Sequence, residues 1–405
     1  MRIAILNMVA YGSTGKIMAQ IAQVARRQGH EVRTYSAKLF SFSKKFLQPT
    51  NFEHRFWGSN GEHILHYILG STLGRNGCYT TIGTKRLVRE LKKFKPDILH
   101  LHNLHSYCIN LPILFRYIKK NNVRVIWTLH DCWTFTGQCP HFDMIGCDKW
   151  KTGCHHCPQI NSYPKSRIDN SRKMYQLKKK WFTNVKDMTL VTPSQWLADL
   201  TRQSYMREYP VRVIHNGIDL SIFKPTDSDF RTRYKCEDKK IVLGVAFGWG
   251  KRKGLDVFVE LAKRLDSGYQ IVLVGVDERV QGSLPNNIIT IARTQNQQEL
   301  AQIYSVADLF VNPTREENYP TVNMEALTCG TPVLTFCTGG SPEIIDEYCG
   351  SVVDKDDIDA LHQEIIRICS QNPYKREDIL RRAEDFDMAN RFNEYINLYH
   401  EVINE

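Results

Sequence analysis

Leu309-Phe310-Val311-Asn312-Pro313-Thr314-Arg315-Glu316-Glu317-Asn318-Tyr319-Pro320-Thr321-Val322-Asn323-Met324-Glu325 reads as a buried strand, a polar loop and the start of a helix. The apolar run 309–312 stops at Pro313, which cannot donate to a sheet ladder. Pro320 suits the first position of the helix that follows. A helix starting above the carboxyl edge of a sheet presents free backbone N–H groups. Such ends bind phosphate, and crevices there bind nucleotides in open α/β sheets. Glu317 falls in the loop and Glu325 in the second helical turn, ~6 Å further along the axis than Thr321 at about 1.5 Å per residue. Two carboxylates so placed suit the hydroxyls of a ribose and a sugar. By spacing alone they read equally well as surface charges.

Outward from this stretch the same rhythm repeats. Strands are expected at residues 240–246, 270–274, 288–292, 309–312 and 333–336, and helices at 255–265, 297–304 and 322–328. The first half alternates likewise, with strands at 3–6, 32–36, 98–102, 123–129, 189–192 and 212–214 and a helix at 16–28 ended by Gly29. Strands separated by helices imply parallel sheets. The chain of 405 residues is too long for one ordinary core. The reading is therefore α/β with two Rossmann-like domains, 1–213 and 214–386, and a last helix at 387–405 whose apolar stripe (Phe392, Tyr395, Ile396, Tyr399, Val402) needs a surface to cover. Residues 40–77 and 132–164 break the rhythm as insertions, the first resembling no regular element.

The net charge of +11 favours anionic partners. Basic runs at 85–95, 117–124 and 171–180 lie in the first half; each alone reads as a solvated helix face, and together they leave a membrane-surface role open. No stretch approaches the ~20 apolar residues of a membrane span, and the start reads as a strand rather than a signal peptide. A cytoplasmic protein, peripheral on the inner face of the plasma membrane in one version, is expected. Its twelve cysteines should then be mostly reduced. Cys139, Cys147, Cys154 and Cys157, with His141, His155 and His156 among them, could close a tetrahedral structural zinc site; reduced or disulfide-paired cysteines stiffening a loop are the alternative.

The segment from Leu300 through Asp308-Leu309-Phe310-Val311-Asn312-Pro313, Glu317, Glu325-Ala326-Leu327 and Cys329-Gly330-Thr331-Pro332-Val333 to Gly339-Gly340-Ser341-Pro342-Glu343 resembles the retaining glycosyltransferases of family 4. Smaller matches at Gly29-His30-Glu31-Val32, Pro96-Asp97-Ile98, Thr192-Pro193-Ser194 and Asn216-Gly217-Ile218-Asp219 extend it over most of the chain. A Trp-Thr-Leu-His-Asp-Cys-Trp segment at 127–133 and the Cys-rich loop look like bacterial capsule and exopolysaccharide (colanic-acid-type) assembly enzymes.

The resemblance implies the GT-B fold, two Rossmann-like domains facing across a cleft with the last helix crossing back to the first. It implies a nucleotide-sugar donor (UDP- or GDP-sugar) and metal-independent hexosyl transfer with retention. Glu317 would contact the donor sugar, Glu325 the ribose, and the amides at the helix start, Tyr319 to Val322 (Tyr319, Pro320, Thr321 and Val322), the distal phosphate, with Asn318 beside them in the donor site. Lys253 would stabilise the leaving diphosphate. The family's arginine five residues earlier is here Gly248, so Lys251 or Arg252 would have to substitute. His130, at a strand's carboxyl edge, would contact the donor sugar; Arg293 would lie near the nucleobase; Gly15 belongs to a glycine-rich turn that is not a Walker A loop. His100, His102 and His105 are left between packing and acceptor contacts. The acceptor is expected to be a polyprenyl-diphosphate-linked glycan, with an anionic membrane surface and no nucleic acid as partner. Three rivals stay open: a nucleotide-sugar 2-epimerase of the same architecture, a glycogen- or sucrose-type synthase with a soluble acceptor, and a non-enzymatic zinc and nucleic-acid-binding protein.

Overall fold

The computed structural model describes residues 1–38 and 54–404. The chain divides into two compact units, Met1–Ile214 with Phe392–Glu405, and His215–Arg391.

The first unit holds strands β1 (Arg2–Asn7), β2 (Glu31–Ala37), β3 (His54–Trp57), β4 (Ile98–Leu101), β5 (Val125–Thr128), β6 (Met188–Thr192) and β7 (Val211–Val213). Its helices are α1 (Gly12–Arg27), α2 (Asn60–Leu73), α3 (Thr81–Phe94), α4 (Leu111–Lys120), α5 (Lys149–Thr152), α6 (Ser171–Phe182) and α7 (Gln195–Gln203). All strand pairs are parallel, in the order β3-β2-β1-β4-β5-β6-β7. Central strands such as β4 and β5 are buried throughout, as helices on both faces require.

The second unit repeats the design with β8 (Lys240–Val245), β9 (Tyr269–Val274), β10 (Ile288–Ile291), β11 (Leu309–Asn312), β12 (Val333–Phe336) and β13 (Gly350–Val353). Its helices are α8 (Phe230–Arg233), α9 (Leu255–Arg264), α10 (Glu278–Gln281), α11 (Gln297–Val306), α12 (Thr321–Thr328), α13 (Ile358–Gln371) and α14 (Arg376–Glu384). The order is β10-β9-β8-β11-β12-β13, all parallel. In both sheets the order reverses once, between β1 and β4 and between β8 and β11. Ligands of open α/β sheets bind outside the carboxyl ends of strands at such a switch point.

The last helix, α15 (Met388–Asn404), leaves the second unit and from Phe392 belongs to the first. Its predicted stripe is buried. The Tyr399 hydroxyl shares a 2.7 Å hydrogen bond with His100 Nδ1, and Thr128 Oγ1 donates to the Tyr395 hydroxyl at 3.3 Å. His100 is thereby a packing residue: its other nitrogen bonds Thr128 Oγ1 at 2.8 Å.

The expectation that 40–77 holds no regular element is corrected from residue 54 onward; residues 39–53 lie outside the described residues. Strand β3 is pinned by polar contacts, the His54 ring meeting the hydroxyls of Thr34 and Ser36 at 2.9 Å each. Helix α2 begins where Ser59 accepts from the Glu62 N–H at 3.3 Å and ends at left-handed Gly74. It buries His63, His66 and Gly70, whereas Ile64, Leu65, Tyr67 and Ile68 are exposed. A helix that turns its polar side inward defeats a reading based on apolar periodicity. Among the described residues no helix is long and apolar enough to cross a membrane.

Candidate functional site

In the second unit the switch point gathers the turn after β8 and the loop after β11. The first is a tight 3₁₀ turn, Lys251–Lys253, closed by left-handed Gly254. Any side chain at Gly254 would meet the Pro313 carbonyl at 2.4 Å, so glycine lets the two segments touch. The Lys253 ammonium is ion-paired with the Glu317 carboxylate, both side chains about four-fifths covered.

Arg315 fastens the arrangement. Its buried guanidinium donates to both Asp256 carboxylate oxygens at 2.7 and 2.9 Å, to Asp356 at 2.5 Å and to the Lys251 carbonyl at 2.5 Å. The Arg315 N–H donates to the Arg252 carbonyl at 2.9 Å. Sequence reading missed this residue, because its carboxylate partners lie 59 and 41 positions away. On the other side Gly339, at φ +56°, leaves 1.8 Å between the place of a Cβ and the Glu317 carbonyl. The next amide, of Gly340, donates to the Asn318 carbonyl at 2.7 Å.

Helix α12 starts at Thr321, so Pro320 is the residue before it rather than its first. The start falls within a residue of the expected one, and proline, having no N–H, gives no amide to the proposed phosphate cradle. The amides of Tyr319, Thr321 and Val322 remain. Glu325, one turn on, accepts from the Tyr304 hydroxyl at 3.2 Å. Tyr304 is fully buried and was not singled out from sequence.

Gly248 sits at φ +82° in open space. A left-handed backbone there would strain an arginine. Lys251 and Arg252 are exposed, Arg252 reaching the Glu316 carbonyl at 3.5 Å. Arg293 is exposed beyond β10, the edge strand, with β9 between it and the switch point.

In the first unit the carboxyl ends of β4 and β5 carry paired imidazoles. His130 and His102 share a 2.9 Å hydrogen bond and lie stacked, ring centres 5.2 Å apart. Burial pushes His130 down to about 4 and His102 well down, so both are neutral near pH 7. His105 bonds Asp131 at 2.9 Å and the Tyr163 hydroxyl at 2.9 Å. Burial would raise the Asp131 carboxyl, but the charge and hydrogen bond of His105 and the Trp133 amide hold it down at about 2. After β1, Gly12 turns at φ +71° in open space. Gly15 instead faces the protein's own backbone: its Cβ would lie 2.6 Å from the Ala10 carbonyl carbon. Its glycine serves the packing of the turn on α1.

The Cys-rich loop brings Cys139, Cys147, Cys154 and Cys157 to one small cavity. The Cys139 thiol donates to Cys157 and holds the Cys157 thiol down. Among the described residues no group of three or more His, Cys, Asp or Glu is arranged to hold a metal ion as it stands, and all twelve cysteines are free. Behind the loop Lys178 is fully buried, donating to the Trp133 carbonyl with its ammonium 3.6 Å from the Trp133 ring centre. Burial lowers its pKa to about 7. This corrects the reading of the 171–180 run as a solvated face at Lys178 alone; Arg172, Lys173, Lys179 and Lys180 are exposed.

Two parallel-sheet units, the second with a cation, two carboxylates and a helix start at its switch point, define the class: a GT-B glycosyltransferase fold. The chain belongs to glycosyltransferase family 4, whose model matches residues 14–222, and the model for glycosyl transferases group 1 matches residues 227–386. It is 28% identical over 270 residues to the colanic acid biosynthesis glycosyl transferase WcaC of Escherichia coli (strain K12), a match covering 65% of each chain. It is 28% identical over 178 residues to the D-inositol 3-phosphate glycosyltransferase of Mycolicibacterium smegmatis, covering 40% of this chain and 41% of that one. The chain thus aligns with less than two thirds of the length of these curated relatives. Among solved structures, sucrose-phosphate synthase from Thermosynechococcus elongatus superposes with a TM-score of 0.75 at 18% identity, covering 100% of this chain and 99% of that one. Anabaena HepE in complex with UDP superposes with 0.72 at 15%, covering 99% and 100%.

Proposed function

We propose that this protein is a retaining glycosyltransferase of bacterial surface polysaccharide biosynthesis that moves a hexosyl group from a UDP- or GDP-sugar to a lipid-linked glycan. The observation that carries this reading is the meeting of Lys253 and Glu317 at the second switch point, beside the start of α12 and one helical turn from Glu325. A nucleotide sugar offers matching chemistry. Its distal phosphate suits the amides at the helix start, its ribose hydroxyls suit Glu325, and its sugar suits Glu317.

Catalysis on this reading is electrostatic. Charge develops on the diphosphate as the glycosidic bond breaks, and Lys253 with the helix start stabilises it; Lys251 or Arg252 supplies the second cation. His130, kept neutral by burial, offers a hydrogen bond rather than a charge. The acceptor hydroxyl attacks from the face the diphosphate leaves, so configuration is retained without a protein nucleophile or a catalytic metal. WcaC, named for colanic acid biosynthesis, supports a polysaccharide acceptor. The exposed Phe56, Ile64, Leu65, Tyr67, Ile68 and Ile82, on a chain of net charge +11, support attachment to an anionic membrane on its cytoplasmic face.

The test is a donor screen: thermal shift and slow hydrolysis across UDP-, GDP- and dTDP-sugars, then transfer to a polyprenyl-diphosphate-linked glycan, with the anomeric configuration read by NMR. An epimer formed from donor alone, or inversion at the anomeric carbon, would overturn the reading. Failure to sediment with anionic vesicles would remove the membrane.

A further inference from the structure

We propose that Cys139, Cys147, Cys154 and Cys157 bind one structural zinc ion as four thiolates. The four thiols come from separate turns of a long connection yet line one cavity of about 20 Å³, room for a single small ion or water. The connection needs such a staple. Its regular elements are one 3₁₀ turn and the four-residue α5, and its own packing rests on Trp150 between Phe135 and Phe142. The thiols do not form a ready ligand set as they stand, so closing the loop and binding the ion would be one event.

The Gly137 N–H donates to Cys154 Sγ at 3.1 Å, a bond that a neutral thiol accepts weakly and a thiolate strongly. Lys149 donates to the carbonyls of His155 and His156 at 3.2 and 2.9 Å, tying the turn between Cys154 and Cys157. Zinc taken up by four thiols releases four protons and leaves a centre of net charge −2, whereas two disulfides across the same cysteines would be neutral. His155 and His156 are exposed and bond each other at 3.1 Å, which favours sulfur over imidazole as the ligand set.

The experiment uses the full-length chain purified without chelator. Elemental analysis is expected to find one zinc per chain, and replacement by Co²⁺ to give tetrahedral d–d bands with thiolate charge transfer. A Cys154→Ser, Cys157→Ser double variant should lose both. Wild-type protein without zinc that also fails to give the tetrathiolate cobalt spectrum would overturn the site. So would a disulfide joining any two of the four cysteines in natively purified protein.

Discussion

Lys253 and Glu317, 64 positions apart, meet as an ion pair that joins the turn after β8 to the loop after β11. The pair sets the charge of the proposed donor site. A diphosphate entering beside it would compete with Glu317 for the ammonium, while the sugar hydroxyls would take up the carboxylate.

Removing the cation should therefore cost transition-state stabilisation. Lys253→Ala is expected to lower turnover about 10²- to 10³-fold, the usual effect of deleting one charge-stabilising donor. Glu317→Ala should reduce transfer mainly through turnover. Because the side chains touch, the double variant should fall short of the sum by about 1 kcal/mol in a mutant cycle. Strict additivity in steady-state kinetics would break the link between the pair and catalysis.

Glu325 should report on the nucleotide. Glu325→Ala is expected to weaken nucleoside diphosphate binding about tenfold, the loss of roughly 1.4 kcal/mol. Tyr304→Phe, which removes only the hydroxyl that donates to Glu325 at 3.2 Å, should have a smaller effect in the same direction. Calorimetric titration with UDP and GDP measures both; a larger loss in Tyr304→Phe would reverse the assignment.

Gly339 tests the backbone behind Glu317. A methyl group there would lie 1.8 Å from the Glu317 carbonyl, and the left-handed φ of +56° adds strain. Gly339→Ala should destabilise the protein by about 1–3 kcal/mol and displace Glu317, abolishing transfer. Gly282→Ala, in open space with φ −64°, should alter stability by less than about 1 kcal/mol. Denaturant titration of the two variants makes the comparison.

The buried imidazoles should make the fold acid-sensitive. Burial holds His66 and His100 down to about 3 and His130 down to about 4. Below the unfolded value near 6.5 the unfolded chain takes up protons that the native chain refuses. Stability is thus fully present above about pH 6.5 and falls as pH drops toward 4, by up to about 1.4 kcal/mol per unit for each such group. The melting temperature should decline across that window, and less steeply in His100→Gln. A melting temperature that is flat from pH 7 to 4 would contradict the burial of these rings.

The alternation of strands was legible from residue 3 to β12, because strands buried on both faces read as apolar runs and amphipathic helices as 3.6-residue stripes; β13, α13 and α14 were not read. The elements at 54–73 escaped because polar contacts, not apolar periodicity, hold them: His54 on Thr34 and Ser36, and a helix that buries His63 and His66. Glu317, Glu325 and Lys253 were legible as a pattern with known flanks. Arg315, Tyr304 and Lys178 were not, since an arginine beside two glutamates, a tyrosine on a helix stripe and a lysine in a basic run carry no local signal.

By itself the sequence determined the fold class, the family and the segment that carries the proposed donor site, because those rest on local chain order and on residues close in sequence. Only the tertiary structure decided that Lys253 is paired with Glu317, that Arg315 clamps the turn beside them, that Gly15 packs on its own loop, and that one lysine of a basic helix lies in the core against Trp133. Each of these is a meeting of segments distant along the chain, fixed by sheet order and packing rather than by any neighbour in sequence.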